Sequence, residues 1–190
     1  MIELKPLSEE NITPFFTWLR DEEVIKYSLT SFQKLISEDE IKLWFSNLLS
    51  NTKDYTLGIF LSSNGNLIGY AGICNISSIN KNGEYFIFIG DKNQWGNGIG
   101  TITTQKVVKY GFEKLNLNRI MLTVSEPNVG GVRAYEKAGF KIEGRLRQAC
   151  FRDGEYHDKL IMSILKKEFK ENTANTRLAQ EPETLETQNE

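Results

Sequence analysis

Residues 84–100 read EYFIFIGDKNQWGNGIG, and the fold can be built outward from this stretch. The first six residues are mostly apolar and aromatic, which predicts a strand. Glycines follow at positions 96, 98 and 100, and an apolar helical pattern continues after them to Leu115. A strand, a glycine-rich turn and a helix start together form an anion site, because glycine allows a close backbone approach and the first helical amides are unpaired. The stretch therefore predicts a site for a phosphate-bearing ligand.

The spacing of the glycines separates the kinds of site that use this arrangement. A P-loop needs the string GxxxxGK[ST], which the sequence does not contain. A dinucleotide site needs a glycine or an alanine at the position of Thr101. Glu126 ends the next predicted strand, where an acid could bind a ribose, and this favours the dinucleotide interpretation. The single strand–helix–strand unit disfavours it, because that fold needs a second half.

Secondary-structure signals elsewhere in the chain come from capping residues and from apolar spacing. Apolar residues at positions 12, 15, 16 and 19 predict a first helix, and the capping box SEDE at 37–40 opens a second one. Between them, residues 21–36 have mixed polarity and predict a loop or a broken helix. Residues 128–138 predict a short helix that ends at Gly139. Strands are predicted at 55–61, 67–73, 84–89, 119–124, 140–150 and 156–165.

The order of these elements predicts the fold class. With a first strand at the N-terminus, the order is β-α-α-β-β-β-α-β-α-β-β, which combines antiparallel hairpins with one strand–helix–strand crossover. We therefore expect the α/β class, with a mixed, mostly antiparallel central sheet flanked by helices. By length, residues 1–170 form a single domain. Residues 171–190 contain five Glu, one Arg and no aromatic residue, which predicts a disordered acidic tail.

The composition describes an ordinary globular chain and excludes several classes of partner. The 190 residues carry a net charge of −2, so no basic excess drives nucleic-acid binding. No run approaches the roughly 20 apolar residues of a membrane helix, and the N-terminus lacks the features of a signal peptide. Cys74 and Cys150 have no metal-ligand spacing. We therefore expect a cytoplasmic protein with reduced thiols and no metal, nucleic-acid or membrane partner.

The glycine stretch and the second half of the chain together resemble the GNAT superfamily of N-acetyltransferases. Residues 95–100, WGNGIG, are similar to its acetyl-CoA loop Q/R-x-x-G-x-G/A, with Gly98 and Gly100 at the two small positions. Trp95 stands where Gln or Arg is usual, a departure common in the branch that includes ribosomal-protein N-terminal, spermidine and aminosugar acetyltransferases. Asn128 and the string YEKAGF at 135–140 match the same pattern. The resemblance implies the GNAT fold over about residues 1–170.

The same resemblance assigns the chemistry to a small number of residues. Tyr135 is implied as the general acid that protonates the departing CoA thiolate, and its alternative role is a core aromatic residue on a helix face. Glu84 is implied as the base for the amine, directly or through a water, and its alternative is an exposed charge at a strand end. His157, the only histidine, is the other candidate base, although it lies beyond a hairpin turn.

Binding residues are also implied by the resemblance. Backbone amides of residues 87–89 would hydrogen-bond the pantetheine arm of acetyl-CoA like an added strand. The first helix and the loop after it would wall the acceptor site, so Trp18, Asp21 and Tyr27 are the substrate candidates. The implied cofactor-binding residues are Ile87, Phe88, Ile89, Trp95, Gly96, Asn97, Gly98, Ile99, Gly100, Thr101, Asn128, Gly131 and Lys137.

The leading hypothesis is an enzyme that transfers the acetyl group of acetyl-CoA, its co-substrate, directly to a primary amine. The acceptor stays open among a small-molecule amine, an aminosugar nucleotide and a peptide N-terminus, and a homodimer stays open as well. Without the acidic tail, the charge of the chain gives no attraction to a polycation. Arg145 and Arg147 could hold an anionic group of an acceptor. The alternatives are a non-catalytic CoA-binding regulatory module and a nucleotide-dependent oxidoreductase.

Overall fold

The computed structural model describes residues 1–28, 32, 34 and 37–169. The predicted acidic tail, residues 171–190, lies outside the described residues, as does residue 170 at the predicted domain boundary. The strands are β1 (Ile2–Lys5), β2 (Tyr55–Leu61), β3 (Leu67–Ser77), β4 (Asn82–Ile89), β5 (Arg119–Ser125), β6 (Lys141–Arg152) and β7 (Glu155–Leu165). The helices are α1 (Thr13–Trp18), α2 (Glu22–Ile25), α3 (Glu38–Ser50), α4 (Ile99–Glu113) and α5 (Val129–Lys137).

One mixed sheet runs through the molecule in the order β1-β2-β3-β4-β5-β7-β6. Every neighbouring pair is antiparallel except β4 and β5, which are parallel and are connected through α4. The β4–α4–β5 unit is therefore the predicted crossover. The predicted α/β class, with a mostly antiparallel sheet flanked by helices, is confirmed.

Hydrophobic clusters lie on both faces of this sheet. On one face α4 packs on the central strands through residues such as Val107 and Phe112, which are fully buried against Ile120 and its neighbours. On the other face α1 and α3 cover β3 and β4, and the cluster there is largely aromatic, with Phe15 and Phe88 in its centre. The sheet is thus a layer between helices, and a ligand can reach its centre only where strands separate.

Local sequence signals explain where several elements begin. Ser37 Oγ accepts from Glu40 N at 3.2 Å while the Glu40 side chain accepts from Ser37 N at 2.9 Å, so the predicted capping box opens α3. Asp21 caps α2, which forms part of the predicted broken helix. The predicted turn before β7 contains Asp153 and Gly154, with φ of 53° and 82°, a pair suited to a tight hairpin.

The short pairing between β4 and β5 decides where a site can form. Its register contains only the pairs of Asn82–Glu84 with residues 119–121. Beyond them, β4 continues to Ile89 and β5 to Ser125, so the two strands diverge. The result is a cleft between residues 85–89 and 122–125, whose facing backbone groups need another partner.

A polar network joins β5, β6 and β7. Arg119 Nη1 donates to Glu143 Oε1 at 2.6 Å and to Ser163 Oγ at 2.8 Å, and Ser163 Oγ donates to the same carboxylate at 2.7 Å. The hydrogen bond from Arg119, followed by that from Ser163, lowers the pKa of Glu143 to about 2. Because the folded-state pKa is depressed, this stabilisation is present above the usual value of 4.5 and is lost as the pH falls towards 2.

Glu143→Gln removes the titrating carboxylate, so the variant should lose less stability on acidification than the wild type. The measurement is the free energy of unfolding in urea, taken at about pH 6 and at about pH 3. The difference in this free energy between the wild type and the variant should be smaller at the lower pH. Glu113→Gln, at an exposed position at the end of α4, is the control and should follow the wild type. Equal acid sensitivity of Glu143→Gln and the wild type would contradict the assigned role.

Candidate functional site

The backbone of β4 presents alternate residues to its two sides. Gly90 N donates to Ile68 O on β3 at 2.9 Å. In an antiparallel pair the N–H and C=O of one residue point to the same side, and that side alternates along the strand. Phe88 therefore directs its amide to β3, whereas Ile87 and Ile89 direct theirs into the cleft. The prediction that the Phe88 amide binds pantetheine is corrected for this reason, and Ile87 and Ile89 stay predictions.

The glycine turn follows β4 directly and lies next to the cleft. Gly96 and Gly98 have φ of 76° and 75°, in the left-handed region, and a Cβ at either position would meet no atom within 4 Å. Gly98 is the N-cap of α4 and makes no side-chain cap. The first amides of this helix, Ile99 to Thr101, therefore have no acceptor inside the helix. Open space beside unpaired amides at a helix start fits a phosphate group.

Trp95 ties the turn back to β4. Its Nε1 donates to Ile89 O at 3.0 Å, and the ring remains 39% exposed. The carbonyl of Ile89 is thereby used, so only the N–H of this residue is available to a ligand in the cleft. Asn97 supports the turn more weakly, with Nδ2 at 3.4 Å from Asn93 O. These contacts give Trp95 and Asn97 structural roles, and their contact with a cofactor stays a prediction.

The start of α5 is shaped by Asn128. Its Oδ1 accepts from Gly131 N at 3.0 Å, and a Cβ at Gly131 would lie only 2.7 Å from Asn128 Nδ2. The glycine is therefore explained by the approach of the capping side chain, without a cofactor. At the crossing of α4 and α5, a Cβ on Gly100 would lie 3.6 Å from Ala134 Cβ. Lys137 is exposed in the last turn of α5, and its contact with a cofactor stays a prediction.

Two tyrosines meet where the cleft begins, and only one has its hydroxyl engaged. The ring centroids of Tyr85 and Tyr135 are 6.1 Å apart. Thr104 Oγ1 donates to Gly100 O at 2.7 Å, so the same oxygen accepts the proton of Tyr85 Oη, 3.0 Å away. For Tyr135 Oη the described residues supply no such partner. Tyr135 is therefore the phenol that remains available to a ligand.

The surroundings of Tyr135 keep its proton in place. Its ring packs against Tyr85 and against Phe140, at 6.2 Å between centroids, and burial raises the pKa of Tyr135 to about 12. The phenol therefore stays protonated at neutral pH and can donate a hydrogen bond. Packing and proton donation, the two roles considered for this residue, are compatible because one uses the ring and the other the hydroxyl.

Glu84 lies at the beginning of the cleft, on the other face of the sheet. It is the last residue of β4 that pairs with β5. Because side chains alternate along a strand, Glu84 shares a face with Phe86 and Phe88, while Tyr85 belongs to the cluster beneath α4. Tyr135 packs against Tyr85, so the carboxylate and the free phenol approach the cleft from opposite faces. This arrangement suits a transfer between two molecules that enter from different sides.

Trp18 and Asp21, two of the predicted substrate residues, already have roles within the fold. The ring of Trp18 lies 5.1 Å from that of Phe15 and against Gly90, where a Cβ would come within 2.0 Å of the indole. Asp21 forms an ion pair with Lys92 at 2.8 Å, and the hydrogen bond from Lys92 lowers the pKa of Asp21. Packing and capping account for both residues, so a substrate contact by either stays a prediction.

Arg152 joins the β6–β7 hairpin to the segment that contains Tyr27, a contact that no local sequence pattern predicts. The side chain is only 7% exposed, and its Nε and Nη2 donate to Lys26 O at 2.9 Å and Ser28 O at 3.1 Å. Lys26 Nζ also pairs with Asp153 at 2.8 Å. Tyr27 lies between the two anchored carbonyls with an exposed ring, so it remains a substrate candidate.

Arg145 is already paired within the protein. It contacts Glu126 at 2.6 Å and Asp158 at 3.3 Å, which makes it an unsuitable anchor for an anionic acceptor. The same contact occupies Glu126, the residue that favoured a ribose site. Cys150 is a buried free thiol whose Sγ donates to the backbone carbonyl of His157 at 3.5 Å.

Residues 1–28, 32, 34 and 37–169 contain no group of three His, Cys, Asp or Glu side chains that could hold a metal ion. No helix in these same ranges is long and apolar enough to cross a membrane. An open depression of about 560 Å³ lies on α1 and α2 and includes no residue of the β4–β5 cleft; its lining residues are Phe16, Thr17, Arg20, Asp21 and Glu22.

Comparison with known sequences identifies relatives over most of the chain. A family model described as the acetyltransferase (GNAT) domain matches residues 2–141. The probable N-acetyltransferase YjcK of Bacillus subtilis is 32% identical over 139 residues, which cover 73% of this chain and 74% of YjcK. The spermidine N(1)-acetyltransferase of Vibrio cholerae is 35% identical over 104 residues, which cover 55% of this chain and 60% of that protein.

Solved structures show the same fold. The spermidine N-acetyltransferase from Vibrio cholerae in complex with CoA and spermine matches with a TM-score of 0.76 at 24% identity. The match covers 89% of this chain and 98% of that chain. At this identity the likeness is evidence for the fold alone.

These findings confirm the predicted fold and the predicted enzyme class, an N-acetyltransferase. They give no support to a nucleotide-dependent oxidoreductase or to a non-catalytic module. The family model spans most of the chain, and YjcK matches it over more than two thirds of its length. The chain therefore belongs to the GNAT family of acetyltransferases.

Proposed function

We propose that the protein transfers the acetyl group of acetyl-CoA directly to the primary amine of a small molecule. The observation that carries this proposal is the cleft between β4 and β5, around which a glycine turn, a free phenol and a carboxylate are arranged. Acetyl-CoA is the donor of this enzyme family, and its thioester supplies the activated acetyl group.

The cleft fits this donor along its length. The N–H groups of Ile87 and Ile89 bind the pantetheine arm as a strand would, because the facing strand β5 has moved away. At the end of β4 the phosphates lie against the amides of residues 99–101. Gly96 and Gly98 leave the space that this approach needs, since a Cβ at either would enter it.

Tyr135 and Glu84 divide the proton transfers between them. An ammonium with a pKa of about 10 is not a nucleophile, so the acceptor amine must lose a proton, and Glu84 takes it directly or through a water. Tyr135 donates its proton to the sulfur as the thiolate departs. The two groups act from opposite faces of the sheet, so each can reach its own reactant without competing for the other.

Polyamines are the first acceptors to test within the proposed class of small-molecule amines. Several relatives are named spermidine N(1)-acetyltransferases, at 30–35% identity. The whole chain carries a net charge of −2, which provides little long-range attraction, so a cationic amine must be recognised locally. Glu22 and Glu23 are exposed carboxylates beside the acceptor wall, although Glu23 pairs with Lys92 at 2.9 Å.

The acceptor is tested by measuring CoA thiol release with acetyl-CoA and a panel of amines. The panel contains spermidine, an aminosugar nucleotide and a peptide with a free N-terminus, with fully acetylated spermidine as the control. We expect turnover with spermidine above the rate without an acceptor, and none with the control. Turnover with the peptide alone would show that the acceptor is a peptide N-terminus and not a small-molecule amine. No turnover with any amine would contradict the proposed activity.

Gly98→Ala tests the donor site, with Gly65→Ala as its matched control. Both glycines have left-handed φ, 75° and 73°, and open space around a Cβ, but Gly65 lies in the β2–β3 turn. Both variants therefore carry a similar backbone strain. Gly98→Ala should weaken acetyl-CoA binding at least about tenfold by calorimetry, while Gly65→Ala should not. If both variants are folded and bind acetyl-CoA with equal affinity, the glycine turn is not part of the acetyl-CoA site.

Tyr135→Phe tests the acid, with Tyr55→Phe as the control. Tyr55 has a pKa that burial likewise raises to about 12, and its ring stacks on Tyr110 at 4.0 Å, away from the cleft. Loss of a general acid should lower kcat by about 10²-fold or more in Tyr135→Phe and leave Tyr55→Phe unchanged. The Kd for acetyl-CoA should change less than about tenfold, because one neutral hydrogen bond contributes about 1 kcal/mol. A normal kcat with rate-limiting chemistry in folded Tyr135→Phe would refute the assignment.

A further inference from the structure

The carboxylate of Glu84 accepts a hydrogen bond from a side-chain amide on β3. Asn75 Nδ2 donates to Glu84 Oε2 at 2.9 Å. Among the residues that the structure describes, the other oxygen, Oε1, has no hydrogen-bond partner. We infer that Asn75 is a positioning residue for the reaction, which holds one oxygen of Glu84 so that the other faces the acceptor amine. This inference rests on the proposed role of Glu84 as the base.

The backbone of β3 is shaped to bring Asn75 to this position. The β3–β4 register pairs Cys74 with Glu84 and then Ser77 with Asn82, so β3 carries an extra residue between these pairs. In a regular strand the residue after Cys74 would lie on the face opposite Glu84. A bulge bends the strand and redirects side chains, and Asn75 adopts a left-handed φ of 51° within it. This conformation favours asparagine over other residues with a Cβ.

The chemistry of the contact fits a base that must be oriented and remain a base. A glutamate side chain has several rotatable bonds, and fixing it before the acceptor binds removes an ordering cost from the reaction. A carboxylate has acceptor sites on both oxygens, so a bond to Oε2 leaves Oε1 able to accept a proton from an amine. Asn75 is a neutral donor, which holds the carboxylate without the second positive charge that a lysine or arginine would place beside a cationic acceptor.

A double-mutant cycle between Asn75 and Glu84 separates positioning from a structural role. Asn75→Gly removes the amide and still permits the left-handed backbone, so the bulge should survive. The four proteins of the cycle are the wild type, Asn75→Gly, Glu84→Gln and the double variant, assayed with acetyl-CoA and spermidine. We expect Asn75→Gly to lower kcat about tenfold when Glu84 is present and less than about twofold when it is introduced into Glu84→Gln. The KM for acetyl-CoA and the Tm should not change. Asn116→Gly is the control, since this asparagine also has a left-handed φ, 52°, but contacts Lys166 and not Glu84.

The outcomes distinguish this inference from the proposed function. If Glu84→Gln keeps the wild-type kcat, the proposed base is wrong and the inference falls with it. If Glu84→Gln is impaired and Asn75→Gly has no effect, or has the same effect in both backgrounds, the positioning role alone is overturned. The positioning role would also be overturned if the Tm of Asn75→Gly fell so far that unfolded protein at the assay temperature accounted for the lower kcat.

Discussion

The parallel pairing of β4 with β5 stops after three residues, and the site depends on this single constraint. Two strands that pair along their whole length would satisfy their own backbone groups and leave no room in the sheet. Because these strands diverge after Glu84, the N–H groups of Ile87 and Ile89 face a gap in an otherwise continuous sheet. A ligand with amide groups of its own can fill the gap as an additional strand. The fold thus provides a binding edge in the middle of the sheet.

Polar contacts connect this gap to the residues around it. The hydrogen-bonded chain from Tyr85 through Thr104 to Gly100 ties β4 to the first turn of α4. It also engages the hydroxyl of Tyr85, so that of the two tyrosines only Tyr135 has a hydroxyl available to a ligand. Lys92, just before the glycine turn, pairs with Asp21 at 2.8 Å, at the start of α2. The glycine turn is therefore linked to the segment that we propose as the wall of the acceptor site.

Features whose signals lie within a few residues of each other could be predicted from the sequence. The capping box at Ser37, the glycine turn at Gly96–Gly100 and the hairpin turn at Gly154 depend on local backbone conformation, which nearby residue types determine. The mixed, mostly antiparallel character of the sheet also followed, because the element order combines hairpins with one crossover. The family motifs added residue roles that no periodicity could supply.

Features that depend on strand register or on distant partners could not be predicted. Arg152 is anchored to carbonyls more than 120 residues earlier in the chain, and its sequence context is only that of a hairpin turn. The bulge at Asn75 exists only in the pairing of β3 with β4, and the direction of the Phe88 amide follows from the same register. A cofactor contact by Gly131 stays a prediction, although the close approach of the Asn128 side chain already accounts for a glycine at this position.

If the gap between β4 and β5 holds the donor as we propose, the sulfur of CoA lies beside Tyr135. A crystal structure of the protein with CoA bound tests this arrangement. We expect the pantetheine arm to be hydrogen-bonded to the backbone of Ile87 and Ile89, with the sulfur within hydrogen-bonding reach of Tyr135 Oη. CoA bound outside the gap, or with its sulfur away from both Tyr135 and Glu84, would contradict it.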